Sequence, residues 1–532
     1  MQFPRIIWLT LTASLGVISH AQTIGTFTSV RPEPQDQLMQ IPSSHVFQVI
    51  AKSGDGLTAG GSMPINSDFT GYVPIAGSSE NGRLSVNSEF VPGGVTVFDI
   101  QFNSTTKLWG VSASQAVDFS PVGNFFVFGT VANCSGEVTP WGTVITCEEN
   151  EISTDLTGDG YVDWGWCIEI DPATRQVKDQ DGNGSPDKLW ALGRMKHENV
   201  KVAADSMTVY YGDDNDTSGL VFKFIADEKM KLGSGDLFVL QRTGTTGTWK
   251  SVPNSTQADR NNCIERATLA GGTDFNRVED VDIGPDGKVY FSSTAQGRVF
   301  RFNDMGDSIV NFEIFVDSGL VAITSDSGTA PALFNGADNL AFDGEGNLWI
   351  TQDSDQRHVW MARPSHTPAS PSIEVFMNTP INAEPTGITF SPDSRFLFMS
   401  IQHPFGNSET MQDVTGANVQ FDRDHTIVIA RKENLGTPIA VEEAQATNPD
   451  WAILSTYAVP GEKHHAITVY AYRHCEVLLE ASDLSGRVLV SQRHKLSPGL
   501  QTLQVDTDHL AAGVYVTVLR SENRRESVRW FK

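Results

Sequence analysis

Three stretches decide the fold: VDIGPDGKVYFSS (281–293), NLAFDGEGNLWITQ (339–352) and PTGITFSPDSRFLFMS (385–400). Each reads as a short apolar strand, a turn built from Gly, Pro or Asp, and a second strand, the pattern of a β-hairpin. An acid leads each one: Glu279, Asp338 and Glu384. The turns begin near residues 284, 343 and 391, roughly 50 to 60 residues apart, as expected for four-stranded units with loop insertions. VKVAADSMTVYYGDD (200–214) has the same form. Helical periodicity is scarce elsewhere. The predicted fold is therefore all-β, a β-propeller of five to seven blades over about 30–435.

Equivalent positions on successive blades of a propeller face equivalent places around the central channel. In-register blades would bring Glu279, Asp338 and Glu384 to one mouth, where carboxylates repel each other unless cations neutralise them. Upstream, NCSGEVTPWGT (133–143) is followed by VITCEEN (144–150). The adjacent acids Glu148 and Glu149 face opposite sides of a strand, so each can serve a different ion. A nearby thiol, Cys134 or Cys147, adds a soft donor that favours a transition metal over calcium alone. His197-Glu198 follows in GRMKHE (193–198) and is not an HExxH helix, so zinc-peptidase chemistry is unsupported.

The whole chain of 532 residues has 39% hydrophobic and 19% charged residues, with 47 Gly and 25 Pro, an ordinary balance for a turn-rich globular protein. Its formal charge of −26 disfavours nucleic acid and anionic lipid as partners and suits hard cations. Arg5, the apolar run Ile6 to Ile18 and Ser19-His20-Ala21 read as a signal peptide over 1–21. No later run is long enough to span a bilayer, so an exported chain without a transmembrane segment is expected once the signal is removed. Five cysteines (Cys134, Cys147, Cys167, Cys263, Cys475) are too few for a disulfide scaffold at this length.

A linker rich in Pro, Ala and Glu is expected over 436–463, followed by a small β-sandwich over 464–532. In that tail Asp483-Leu484, Gly486, Gly499-Leu500-Gln501 and Leu510 through Gly513-Val514-Tyr515 resemble the C-terminal sorting domain of type IX secretion cargo. The resemblance implies the secretion machinery as a partner, and release from the cell or attachment at its outer surface.

The larger part of the chain resembles the PhoX-type alkaline phosphatases. The resemblance is carried by DFTGYVP (68–74), VNSE (86–89), the NCSG…TPWGT…TCEEN block, GRMKHE, Gly212-Asp213-Asp214, Arg277-Val278-Glu279, Ala337-Asp338-Asn339-Leu340, Glu384-Pro385-Thr386-Gly387 and Ile401-Gln402-His403-Pro404. It implies a six-bladed β-propeller and a secreted phosphatase that hydrolyses phosphate monoesters with Ca2+ and Fe3+. Residue by residue, it implies an iron site drawing on Cys134 (preferred) or Cys147 with Glu148, Glu198 and Glu279. Calcium ions would draw on Glu149, Asp338 and Glu384. Arg277 matches the phosphate-contacting arginine, and its planar fork suits that task; Lys196 is a second candidate. The expected state is a monomer. Departures include Ser88 for a histidine, Asn199-Val200 after His197-Glu198, and Val278 for a proline. The alternatives are a non-catalytic calcium-stabilised propeller acting as a platform, and a phosphodiesterase or phytase-like hydrolase.

Two loops repeat a further spacing: Asp155, Thr157, Asp159, Gly160, Asp163, and Asp179, Asp181, Asn183, Gly184, Asp187. They match the start of an EF-type calcium loop, with Trp166 and Trp190 in the twelfth place where a bidentate Glu belongs. These are expected to be peripheral structural calcium sites.

Overall fold

The computed structural model describes residues 22–119, 129–156, 158–184, 186–319, 323–325, 328–330, 334–354, 357–404, 408–436, 451–458, 463–483, 487–511, 513–521 and 525–532. The predicted signal peptide, the type IX positions Leu484 and Gly486, and Thr157 of the first calcium loop lie outside them. The chain divides into two compact units, Met1–Thr437 and Pro438–Lys532.

In the larger unit, strands joined by tight turns pair antiparallel with their neighbours in sequence. One sheet orders Ser67–Pro74, Asn81–Ser88, Gly94–Asn103 and Leu108–Ala116. The next orders Asn133–Val138, Val144–Glu148, Cys167–Asp171 and Gln176–Val177. A nine-stranded sheet follows. It starts with His197–Val202 and Thr208–Asp213 and ends with Val289–Ser293 and Val278–Ile283. Its two halves meet where Thr246–Val252 pairs with Ser308–Asp317. Ala337–Phe342, Leu348–Gln352, His358–Ala362 and Ile373–Asn378 form another. The last joins Glu384–Phe390, Phe396–Gln402 and His425–Arg431 to the N-terminal strand His45–Lys52.

The strands beginning at Ser67, Asn133, His197, Val278, Ala337 and Glu384 touch in that order, and the last touches the first. The apolar residues of each group pack against those of the next. Val97 shares a core with Ile168, Ile145 with Phe222, Val221 with Phe291, Val299 with Trp360, and Trp349 with Leu397. The ring closes where Tyr72 stacks on Phe398 with centroids 5.1 Å apart. The fold is all-β and propeller-like.

The smaller unit has one sheet of Trp451–Ala458, His464–Ala471 and Gly499–Asp506 and another of Val488–Leu496, Cys475–Asp483, Val514–Arg520 and Arg525–Phe531. Ile467, Val469, Leu479, Tyr515 and Trp530 share its core. The strand Trp451–Ala458 falls inside the stretch expected to be linker. WAILSTYA is rich in strand formers and pairs with the strand that follows it. Among the described residues no helix is long and apolar enough to cross a membrane.

Candidate metal centre

All six inner strands carry a two-residue skip in their ladder, and in five of them it follows the first paired residue. The ladder skips two residues between Ser67 and Thr70, Asn133 and Gly136, His197 and Val200, Val278 and Val281, and Ala337 and Leu340. Such bulges re-aim a side chain at the cost of local pairing. The first skipped residue in turn is Asp68, Cys134, Glu198, Glu279 or Asp338, and all five are buried. In three of these strands the second skipped residue bonds sideways instead. Asn199 exchanges two hydrogen bonds with Val281, at 3.0 and 2.9 Å. Asp280 accepts from Leu340 N–H at 2.7 Å, and Asn339 from Gly387 N–H at 2.9 Å. These bonds pin neighbouring inner strands and give Asn199 a reason of its own.

The second strand of a group supplies the other donors. The residue just after it is Glu89, Glu149, Asp214 or Asp353. On the sixth inner strand the skip falls between Thr386 and Thr389, and its first skipped residue is Gly387. Gly387 has φ +62°, and a Cβ there would sit 2.3 Å from the Thr70 nitrogen and 2.6 Å from the Asp68 carbonyl oxygen. The acid of that strand, Glu384, stands three residues earlier, opposite Gln402.

These positions converge. Asp68, Glu89 and Cys134 bring ligand atoms within 4.8 Å of one another; so do Cys134, Glu149 and Glu198, and so do Glu198, Asp214 and Glu279. Cys134 Sγ lies 3.0 Å from a Glu198 oxygen and 3.5 Å from an Asp68 oxygen. Arg277, with φ +51°, bridges the acidic wall: Nε is 2.8 Å from Asp214 and Nη2 is 2.8 Å from Glu279. Lys196 Nζ is 3.8 Å from Glu149 and partly exposed. Arg357 lies 3.3 Å from Glu384 and 3.0 Å from Asp353.

Burial first, then like charge from Glu89, raises the Asp68 carboxyl well above its ordinary value. Glu149, Glu198, Glu279, Asp338 and Glu384 are raised for the same reasons, each by burial and then by neighbouring carboxylates. Burial, then Asp68 and Glu198, does the same to the Cys134 thiol. Asp68 Oδ1 is buried without a hydrogen-bond partner. A hollow of carboxylates and one thiol with an unanswered oxygen fits metal cations, offering many hard oxygen donors and one soft sulfur donor.

Two expected ligands lie elsewhere. Glu148 faces the opposite side of its strand, where Lys188 Nζ reaches both its oxygens at 2.7 Å. Thr130 and the backbone of Val131, Gly165 and Trp166 also donate to it. Both residues of this ion pair are fully buried, and burial pushes Lys188 down to about 8. Cys147 is buried beside Cys167, with the sulfurs 3.6 Å apart. Cys147 and Glu148 face opposite sides of Val144–Glu148, as strand alternation requires, and each side packs into the scaffold: Cys147 in the core with Val200 and Phe222, Glu148 on Lys188.

In the second calcium-like loop, Asp179, Asp181 and Asp187 bring oxygens within 4.8 Å of one another; among the described residues Asp155, Asp159 and Asp163 make no such group. The aspartates serve the loops' own turns: Asp155 accepts from Gly158 and Gly160, Asp159 from Tyr161, Asp163 from Leu156 and Asp179 from Gly182 and Gly184. Asn183 donates to Asp181. Trp166 and Trp190, at the twelfth places, pack against Tyr161 in one aromatic cluster.

The sequence reading missed Asp68, Glu89, Asp214, Asp353 and Arg357 as site residues. Asp68 carried a usable signal, since it leads FTGYVP as Asp338 leads NLAF. The residues closing the second strands carried one too, because Glu89, Glu149 and Asp214 all follow an apolar hairpin arm.

The family model for alkaline phosphatase PhoX matches residues 99–405. Among solved structures, Pseudomonas fluorescens PhoX in complex with vanadate, a transition state analogue, superposes with a TM-score of 0.60 at 21% identity, over 77% of this chain and 99% of that one. A regucalcin from Agrobacterium tumefaciens aligns at 10% identity over 72% of this chain and 94% of its own, with a TM-score of 0.36. A gluconolactonase from Xanthomonas campestris aligns at 10% identity over 72% and 100%, with a TM-score of 0.30. No curated protein matches. With its family model covering more than half of the sequence, the chain belongs to the PhoX alkaline phosphatase family.

Proposed function

We propose that this chain is an exported phosphatase that hydrolyses phosphate monoesters at a centre of iron and calcium held in the carboxylate hollow. The observation that carries the reading is the convergence of more acids than protein cations: Arg277 answers Asp214 and Glu279, Arg357 answers Asp353 and Glu384, and Lys196 stands 3.8 Å from Glu149, while Asp68, Glu198 and Asp338 make no ion pair among the described residues. Cys134, Glu198 and Glu279 are the residues we assign to ferric iron. Glu149, Asp338 and Glu384, joined by Asp68, Glu89 and Asp214, are those assigned to the remaining metal positions. When bound, such cations neutralise phosphoryl oxygens and stabilise the charge on the leaving group.

The chain's own groups orient the ester. Arg277, about a third exposed, keeps donors for a phosphoryl oxygen beyond those it gives to Asp214 and Glu279. Those two carboxylates hold its plane, so little reorganisation is needed when charge shifts in the transition state. Lys196 stands at the same mouth as a mobile point charge. Without cations, the acidic wall repels a phosphate dianion.

The test is turnover of a chromogenic phosphate monoester and the matching diester by metal-replete, chelated and reconstituted protein. Monoester hydrolysis lost on chelation and restored by calcium with iron is expected. No turnover by the replete protein defeats the reading, and preferential diester turnover replaces it with a phosphodiesterase.

We take the closed ring of inner strands as a six-bladed propeller and the smaller unit as a β-sandwich that directs sorting. Sequence features support release or surface attachment through the secretion machinery. Retention of a tail-less chain inside the cell, with export of the full chain, tests this. We assign calcium to the Asp179–Asp187 loop and read the protein as a monomer.

A further inference from the structure

The second sheet holds two thiols that the metal centre does not use. Cys147 and Cys167 are cross-strand partners, both fully buried, with sulfurs 3.6 Å apart. Antiparallel neighbours alternate between hydrogen-bonded and non-hydrogen-bonded pairs. Next along the ladder, Glu148 N–H donates to the Trp166 carbonyl at 3.0 Å, which puts Glu148 opposite Trp166 at a hydrogen-bonded position, with the Trp166 N–H taken by the Glu148 carboxylate. The Cys167 carbonyl accepts instead from Leu189 N–H on its other edge, at 2.8 Å. Cys147 and Cys167 therefore form a non-hydrogen-bonded pair, for which the Cα separation is about 4.5 Å and the side chains lean together. That separation lies within the range a disulfide spans, so side-chain rotation alone closes the gap.

We propose that Cys147 and Cys167 are a disulfide site, oxidised as the exported chain folds. The oxidant is an external disulfide, either a small-molecule disulfide or a thiol-oxidising protein. One protein thiolate attacks it and releases one external thiol. The second thiolate then attacks the mixed disulfide, forming the Cys147–Cys167 bond and releasing the other external thiol. Two protein thiols and one external disulfide become one protein disulfide and two external thiols, so electrons and protons balance. Because both sulfurs are buried in the finished fold, exchange precedes closure of the sheet. The bond closes a loop of roughly 20 residues containing Glu148, Glu149 and the first calcium-like loop. It thus ties down the strand end that delivers Glu149 to the metal centre.

The test refolds the full chain from urea, once with glutathione disulfide and once with reductant, followed by alkylation under denaturing conditions and non-reducing peptide mapping. Expected is one linked peptide joining Cys147 to Cys167, with Cys134, Cys263 and Cys475 alkylated. The oxidised form is expected to melt about 4 °C higher than the reduced one, a difference absent from the Cys147→Ala/Cys167→Ala double variant. Alkylation of both Cys147 and Cys167 in the oxidised sample overturns the proposal. A linked peptide with any other pairing, or equal melting temperatures of the two forms, overturns it as well.

Discussion

Glu148 and Glu149 are neighbours in sequence and opposites in physics. Glu148 meets Lys188 at 2.7 Å and four further donors, a closed arrangement that asks for nothing from solution. Glu149 faces Glu89, Asp214 and Glu279, and its nearest cation, Lys196, is 3.8 Å away and partly exposed. A buried acid matched by a protein cation is part of the scaffold. A buried acid ringed by other acids is an open valence that an external cation has to fill.

The largest expected effect falls on the scaffold side. Lys188→Met strands Glu148 without its partner in a fully buried position and should cost about 3–5 kcal/mol of stability, read by denaturant unfolding. Metal content per folded molecule should stay unchanged; a loss of metal without a loss of stability would break the contrast. On the other side, Glu279→Gln should lower phosphatase activity by about 100-fold or more together with bound metal, while unfolding shifts little. Full activity in that variant would remove Glu279 from the site.

Gly387→Ala tests the ring itself, because five inner strands present a donor where the sixth has glycine. Its Cβ would strike Thr70 and the Asp68 backbone at a positive φ, so a loss of about 1–3 kcal/mol is expected, with activity falling as Asp68 moves. The smallest effect is a pH dependence. The unfolded chain ionises its carboxyls near their ordinary values, whereas burial and mutual repulsion raise those of Asp68, Glu198 and Glu279 in the fold. The folded state therefore holds more protons above about pH 4, and its stability falls as pH rises through the raised values. Chelated protein should melt progressively lower from pH 5 to pH 8, roughly, whereas metal-loaded protein should not. Parallel curves for the two forms would show that these acids are not held together by cations.

Much of this was legible in advance. The hairpins at 281–293, 339–352 and 385–400 were readable because alternating apolar residues and Gly/Asp turns act over short range. Glu279, Asp338, Glu384, Glu198 and Cys134 stood out in the sequence by their shared lead position or their block. Glu148 and Cys147 were misplaced because no local pattern says that both faces of Val144–Glu148 pack into the scaffold; Lys188, forty residues on, takes Glu148 on one face, and Cys167 lies beside Cys147 on the other. Asp353 and Arg357 were missed because their meaning rests on a neighbour from another sheet, Glu384. The twelfth-place tryptophans marked the calcium-like loops as unusual, and their packing against Tyr161, Trp190 stacked and Trp166 edge-on, showed why.

Strand periodicity, turn chemistry and the inventory of acids and thiols are properties of the chain itself, because they depend on neighbours a few residues apart. Which acid is neutralised, which lies open, and which two sulfurs face each other belong to the tertiary structure. Those outcomes depend on bulges and on partners tens to hundreds of residues distant, brought within a few ångströms only when the ring of sheets closes.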